Sequence, residues 1–167
     1  MLAARAAQTG HLVFTTLHLD QAINAPNRLH TLGLAYETIG PALLCVIAQR
    51  LVRRVCPDCR VKYMPTQELF EMVPGSEKIG EFWRGRGCSR CKETGYRGRT
   101  GLYEVMYCNE EVGALIQAGA PRVELRAALK RRAHRSLRQD ALRKLARGTT
   151  TLEEIYRVVP KRVLDDN

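Results

Sequence analysis

Two cysteine pairs constrain this chain more than anything else in it. Cys56-Pro57-Asp58-Cys59 and Cys88-Ser89-Arg90-Cys91 share the C-x-x-C spacing and are separated by 28 residues. A C-x-x-C turn brings two sulfurs to one point, so two such turns offer four soft ligands to a tetrahedral ion. Zinc is the usual occupant, and a site filled by four protein ligands leaves no position for water or substrate. The pairs therefore predict a structural staple, one zinc per chain on Cys56, Cys59, Cys88 and Cys91. As thiolates they carry a formal charge of about −2 with the ion, which Arg60, Arg90 and Lys92 are placed to offset. Each turn can also donate backbone N–H groups to sulfur. A redox or disulfide pair is the competing reading of a single C-x-x-C, and the doubled motif argues against it. Cys45 and Cys108 lie in apolar stretches and read as plain core residues.

The length of 167 residues allows one ordinary core, or one core plus a small module. No apolar run reaches the ~18–20 residues of a membrane span, because residues 39–55 are cut by Gly40, Pro41, Gln49, Arg50, Arg53 and Arg54. The N-terminus has no signal-peptide pattern, which makes a reducing cytoplasm the default compartment and metal the default reading of paired cysteines. Net charge is +10, and 21 of the 27 basic residues are arginine. Residues 121–147 hold ten Lys/Arg against only Glu124 and Asp140. Such a segment suits an anionic partner, nucleic acid among them, or simply forms the solvated side of amphipathic helices.

Along the chain, residues 11–17 (His-Leu-Val-Phe-Thr-Thr-Leu) read as a buried strand. Asp20 can cap a helix toward Leu32 that Gly33 ends, with Pro26 kinking it or delaying its start. Leu43, Leu44, Ile47 and Leu51 suggest a helix over residues 40–55. Residues 60–87 are the least regular, with a short helix after Thr66 over 67–73. Gly95, Gly98 and Gly101 suggest backbone with positive φ or a close approach. A strand follows over 102–107, then helices at 110–118 (capped by Asn109), from Pro121, at 136–147, and from Thr151, where Thr151-Leu152-Glu153-Glu154 has capping-box spacing. Two histidines, His11 and His18, bracket the first strand, with Thr15 and Thr16 between them. A histidine at a strand end can reach a phosphate oxygen, although a structural role is the commoner one. No G-x-x-x-x-G-K-[ST] loop, H-E-x-x-H or nucleophile elbow occurs.

Several motifs in one order resemble a known family. They are Thr9-Gly10-His11 through Leu17-His18, Gln49-Arg50-Leu51-Val52-Arg53-Arg54-Val55 before the first cysteine pair, Thr94-Gly95-Tyr96-Arg97-Gly98-Arg99-Thr100-Gly101-Leu102-Tyr103-Glu104 after the second, and Thr150-Thr151-Leu152-Glu153-Glu154. Together they resemble the type II secretion and type IV pilus assembly ATPases, across nearly all of residues 3–159. Leu19-Asp20, Pro26 and Tyr36-Glu37 depart from the family's common pattern. The resemblance implies an α/β fold: the C-terminal part of a RecA-like P-loop ATPase domain, with an inserted zinc-knuckle module and a helical C-terminal subdomain. It implies residues 1–55 as the end of the ATPase core, 56–101 as the zinc module, 102–160 as a strand plus basic helices, and 161–167 as a tail. It implies that His11, Thr16 and His18 form a histidine box near the γ-phosphate, and that Cys56, Cys59, Cys88 and Cys91 hold zinc. ATP and Mg2+ would bind only in the full-length assembly, because this chain lacks the phosphate loop, and the chain alone is expected to be inactive. The implied partners are the missing ATPase half, other subunits of a hexamer and inner-membrane platform proteins, with no nucleic acid, at the cytoplasmic side of a bacterial inner membrane. A basic zinc ribbon that binds nucleic acid and a regulatory fragment of the hexamer are the alternatives.

Overall fold

The computed structural model describes residues 2–165. Four strands and nine helices form among them, and the chain divides into two compact units. One comprises residues 1–48 and 104–135, the other 49–103 and 136–167.

The first unit is mainly helical. Helix α1 (Leu2–Gln8) is rich in alanine and buries no residue. Helix α2 (Ala25–Thr31) begins one residue before Pro26, whose missing N–H costs nothing in a first turn. Pro26 thus delays the start, and only a single tight turn (Ala22–Asn24) precedes it. Gly33 takes φ +92° just beyond the helix, a conformation that suits glycine at a C-terminal stop. Helix α3 (Tyr36–Ala42) follows. After the strands described below, α5 (Glu110–Gln117) is capped by the Asn109 side chain, which accepts from the Val112 N–H, and α6 (Arg122–Arg131) follows Pro121. Ile23, Ile39, Met106, Val112, Ile116, Leu125 and Leu129 form this unit's core.

The second unit carries α4 (Gln67–Met72), α7 (Leu137–Ala146), α8 (Leu152–Val158) and α9 (Lys161–Leu164). Its core joins Val52, Phe82, Leu102, Leu137, Leu145, Leu152, Ile155 and Leu164. Each fully buried leucine contributes about 2 kcal/mol of transfer free energy. Leu125, Ala128 and Leu129 of the basic helix α6, and Leu137, Ala141 and Leu145 of α7, face inward.

Strand β1 runs from Cys45 to Val55 and pairs with β4, Tyr96–Tyr107. Strands β2 (Arg60–Tyr63) and β3 (Phe82–Gly85) form a second, antiparallel ladder with Arg60 opposite Gly85 and Lys62 opposite Trp83. Two expectations fail here. Residues 45–55 are a strand, not a helix. The i, i+4 spacing of Ala48 and Val52 fits both periods, and the β-branched Val46, Ile47, Val52 and Val55 with β4 alongside decide for the strand. Ala48, Val52 and Val55 are buried, while Ile47 and Leu51 are 63% and 50% exposed. Residues 60–87 are also more regular than expected, because two four-residue strands, Arg-Val-Lys-Tyr and Phe-Trp-Arg-Gly, are too short to give a clear apolar period.

The expected buried strand at 11–17 is the third correction. These residues belong to no strand, and Leu12 and Phe14 are 70% and 88% exposed. A strand needs a neighbour for its N–H and C=O groups, and no strand among the described residues pairs with this one. Its alternation survives: Val13 and Thr15 line an apolar cleft with Ala4, Ala7, Leu29 and Ile39, while Leu12 and Phe14 point away.

Candidate metal centre

The second unit builds one cluster of ligating side chains. Cys56 follows the last residue of β1, and its N–H donates to the Gly95 carbonyl at 2.9 Å. Cys59 immediately precedes β2, and its carbonyl accepts from the Arg86 N–H at 3.0 Å. Cys88 and Cys91 flank a single tight turn, Ser89–Cys91, after which Lys92 and Glu93 take φ of 52° and 61°. The Thr94 hydroxyl donates to the Cys91 carbonyl at 2.6 Å and ties down the end of this turn. The glycines expected to be special are so. Gly95 and Gly98 both have φ +75°, and a Cβ on Gly85 would lie 2.1 Å from the Gly95 oxygen. A Cβ on Gly101 would strike the Tyr103 ring at 2.3 Å.

The four sulfurs lie within 4.8 Å of one another. Cys56 to Cys88 is 4.0 Å, Cys59 to Cys91 is 3.9 Å and Cys88 to Cys91 is 3.7 Å. A tetrahedral ion with bonds of ~2.3 Å to sulfur requires edges of about 3.8 Å, so the set fits zinc closely. A disulfide needs ~2.05 Å, and all six cysteines are free. Cys56, Cys59 and Cys91 are buried and Cys88 is half-buried.

Backbone donors reach the sulfurs as the turn geometry predicts. Burial alone would push the Cys91 thiol up, but N–H groups of Gly95 (3.3 Å) and Cys88 (3.2 Å) and its sulfur neighbours bring it down to about 7. Cys59 goes the other way: burial, against a backbone bond from Gly87, raises its thiol to about 12.

The charges around the cluster differ from expectation. Arg90 and Arg97 both reach Asp58, at 3.0 and 3.1 Å. Arg60 lies 4.0 Å over the Trp83 ring instead, and Lys92 is exposed. Sequence reasoning missed Asp58 and Arg97, whose only local signal was an acid placed between two cysteines. It also missed the anchor below the ladder. Glu154 is fully buried and accepts from the Arg53 N–H and side chain and from Arg157. Glu154 therefore does not complete a capping box. Thr151 caps its N–H at 3.3 Å, but the carboxylate is engaged elsewhere, and the reciprocal box is Ser136 with Gln139.

His11, Thr16 and His18 are all exposed on a segment outside any helix or strand. His11 Nδ1 lies 3.1 Å from the Thr9 hydroxyl, a bond between neighbours on an exposed turn. These residues lie in the first unit and the cysteines in the second. Cys45 and Cys108 are half-buried, and burial pushes the Cys108 thiol up to about 12, as suits packing residues.

A family described as "Type II/IV secretion system protein" matches residues 1–157. The chain belongs to this family. It is 40% identical over 157 residues to the type IV pilus assembly ATPase PilB of Thermus thermophilus, covering 92% of this chain and 18% of that protein. It is 41% identical to the type II secretion system protein HxcR of Pseudomonas aeruginosa, over 94% of this chain and 30% of the relative. Type II secretion system protein E of Aeromonas hydrophila is 38% identical, with 94% and 31% covered. The chain spans between about a fifth and a third of the length of these relatives. The structure is mixed α/β, and no helix among its described residues is long and apolar enough to cross a membrane.

Proposed function

We propose that this chain supplies the C-terminal part of an ATPase that drives type II secretion or type IV pilus assembly. In this reading it belongs to a RecA-like domain, with residues 1–55 ending the ATPase core, 56–101 forming the zinc module and 102–160 the helical subdomain. The four cysteines hold one structural zinc. His11, Thr16 and His18 form a phosphate-sensing box that acts only beside a phosphate loop carried by the rest of the enzyme, with ATP and Mg2+ bound there. The chain by itself turns over no ATP. Its partners are that remaining portion, other subunits of a hexamer and platform proteins at the cytoplasmic face of the inner membrane.

The observation that carries the reading is the four-sulfur cluster in a member of the type II/IV secretion system family. Exposure of the histidine segment is consistent with it. A run of apolar residues such as Leu12 and Phe14 is suited to be covered by further sheet, and backbone outside any ladder is free to join one. The basic helices give no support to nucleic-acid binding, since their leucines pack inward and no aromatic residue interleaves with the arginines of residues 121–147.

Metal analysis of the purified chain tests the staple. One zinc per chain is expected, lost in Cys88→Ser, and a folded wild-type chain free of metal refutes it. The histidine box is tested in a chimera that joins this chain to the preceding residues of a relative. His18→Ala is expected to cut its ATP hydrolysis at least tenfold while leaving the zinc content at one.

A further inference from the structure

Asp58 occupies the first cysteine turn, and its carboxylate is forked between two arginines from elsewhere in the module. Oδ1 accepts from Arg90 at 3.0 Å, and Oδ2 accepts from Arg97 at 3.1 Å. Arg90 lies inside the second cysteine turn. Arg97 lies at the start of β4, two residues after Gly95, whose N–H donates to the Cys91 sulfur. One carboxylate therefore joins the three backbone pieces that carry or support the ligands, without using a sulfur.

We propose that Asp58, through Arg90 and Arg97, is a positioning residue that holds the two cysteine turns in register and slows loss of the metal. The proposal rests on the zinc reading above. Outer partners that orient ligands commonly change metal affinity by about 10–100-fold. The side chains of Arg90, Arg97 and Asp58 are 68%, 55% and 30% exposed. Exposed ion pairs of this kind contribute little to global stability, so the effect falls on the geometry of the turns and at the lower end of that range.

Charge alone predicts the opposite sign. The Asp58 Oδ2 atom is 3.8 Å from the Cys56 sulfur. With that sulfur a thiolate, the carboxylate repels it, and removing the carboxylate frees two guanidinium groups to face the sulfurs. If the arginines act only by neutralising thiolates, Asp58→Asn tightens metal binding. If Asp58 is a clasp, the same change loosens it.

The test is the rate of zinc transfer from the loaded chain to a colorimetric chelator in excess. Asp58→Asn and the double variant Arg90→Gln/Arg97→Gln are each expected to release zinc about tenfold faster, and the triple variant no faster than either. Unchanged or slower release from Asp58→Asn overturns the proposal, as do effects that add in the triple variant. Arg97→Gln alone keeps the Arg90 contact and is expected to fall between, which preserves the test should Asp58→Asn fold poorly. A folded wild-type chain that takes up no zinc overturns the metal reading, and this proposal with it. Normal loading with unchanged release from the variants overturns the clasp alone.

Discussion

Glu154→Gln isolates the buried anchor of the second unit. The wild-type side chain is 0% exposed and receives five N–H donors. Oε1 accepts from the Arg53 N–H (2.9 Å) and Arg157 Nη2 (2.6 Å). Oε2 accepts from Arg53 Nε (2.9 Å), Arg53 Nη2 (2.7 Å) and Arg157 Nε (2.9 Å). Glutamine keeps one acceptor oxygen and turns an NH2 toward donors, so at least two charge-assisted bonds go. Such bonds contribute about 1.5–3 kcal/mol each. The guanidinium groups of Arg53 and Arg157 are 42% and 58% exposed and regain water, which favours the lower figure. The expected loss is about 3 kcal/mol. With an m-value of about 2 kcal/mol/M, the urea midpoint falls by about 1.5 M. Trp83, the chain's single tryptophan, sits in the same unit and reports its unfolding by fluorescence. The pH dependence adds a second check. Burial alone would raise the Glu154 carboxyl, but the bonds from Arg157 and Arg53 outweigh it and hold the group at about 2, against an ordinary 4.5. A depressed folded pKa gives stability that is present above the unfolded value and lost as pH falls toward the folded one. The gap between wild type and variant is therefore full at pH 7 and narrows from about pH 4.5 down to about 2. A midpoint shift under about 0.5 M at pH 7, or a gap that does not narrow in acid, refutes the anchor.

Removing zinc from the loaded chain with a strong chelator is expected to lower the Trp83 urea midpoint and to restore it on adding zinc back, since metal bound only by the folded site stabilises it. Gly40→Ala places a Cβ 2.6 Å from the Gly113 oxygen and 2.8 Å from the Gln117 Cβ, so α3 must move from α5. Despite alanine's better helix propensity, a loss of about 1–3 kcal/mol is expected by thermal or urea unfolding followed by circular dichroism. His11→Ala and His18→Ala alter exposed side chains outside any strand, and the unfolding free energy of the isolated chain in urea is expected to stay within about 0.5 kcal/mol of wild type.

The clustering of the four cysteines was legible because its information is local: four residues make each C-x-x-C turn whatever surrounds it. Helix stops were legible for the same reason, and Gly119 and Gly148 both take φ +64° where the sequence places an end. What failed depended on distant partners. Residues 45–55 carry apolar spacings that satisfy two periods, and only the presence of β4, some fifty positions on, selects the strand. The pairing of Arg53 with Glu154 spans 101 residues, and that of Asp58 with Arg97 spans 39. No window of sequence contains either pair. Residues 11–17 fail in a different way. Their composition is that of a covered strand, and their alternation is kept against the cleft, but pairing and burial belong to whatever lies beside them.

The position of the sulfur cluster follows from where apolar burial stops. Between Phe82 and Leu102, which both belong to the second unit's core, the only buried side chain is that of Cys91, and the other buried positions are Gly95 and Gly101. Trp83 is only partly buried and Arg84, Arg86, Arg97 and Arg99 are exposed, so this stretch has almost nothing to contribute to a hydrophobic core. Ordering some twenty residues costs on the order of 1–2 kcal/mol each in backbone entropy. Strand β3 and the start of β4 account for about half of them, and residues 86–95 lie in neither. A small module with so few buried apolar groups requires a staple, and four convergent sulfurs are the one candidate among its described residues. On the zinc reading proposed above, local order depends on metal in a graded way. Amides of residues 85–99 are expected to lose exchange protection on chelation, while those of α7 and α8, anchored by Leu137, Leu145, Leu152 and Ile155, keep theirs. Simultaneous loss of protection in both regions would mean that the cluster organises the whole unit and not only the stretch that lacks a core.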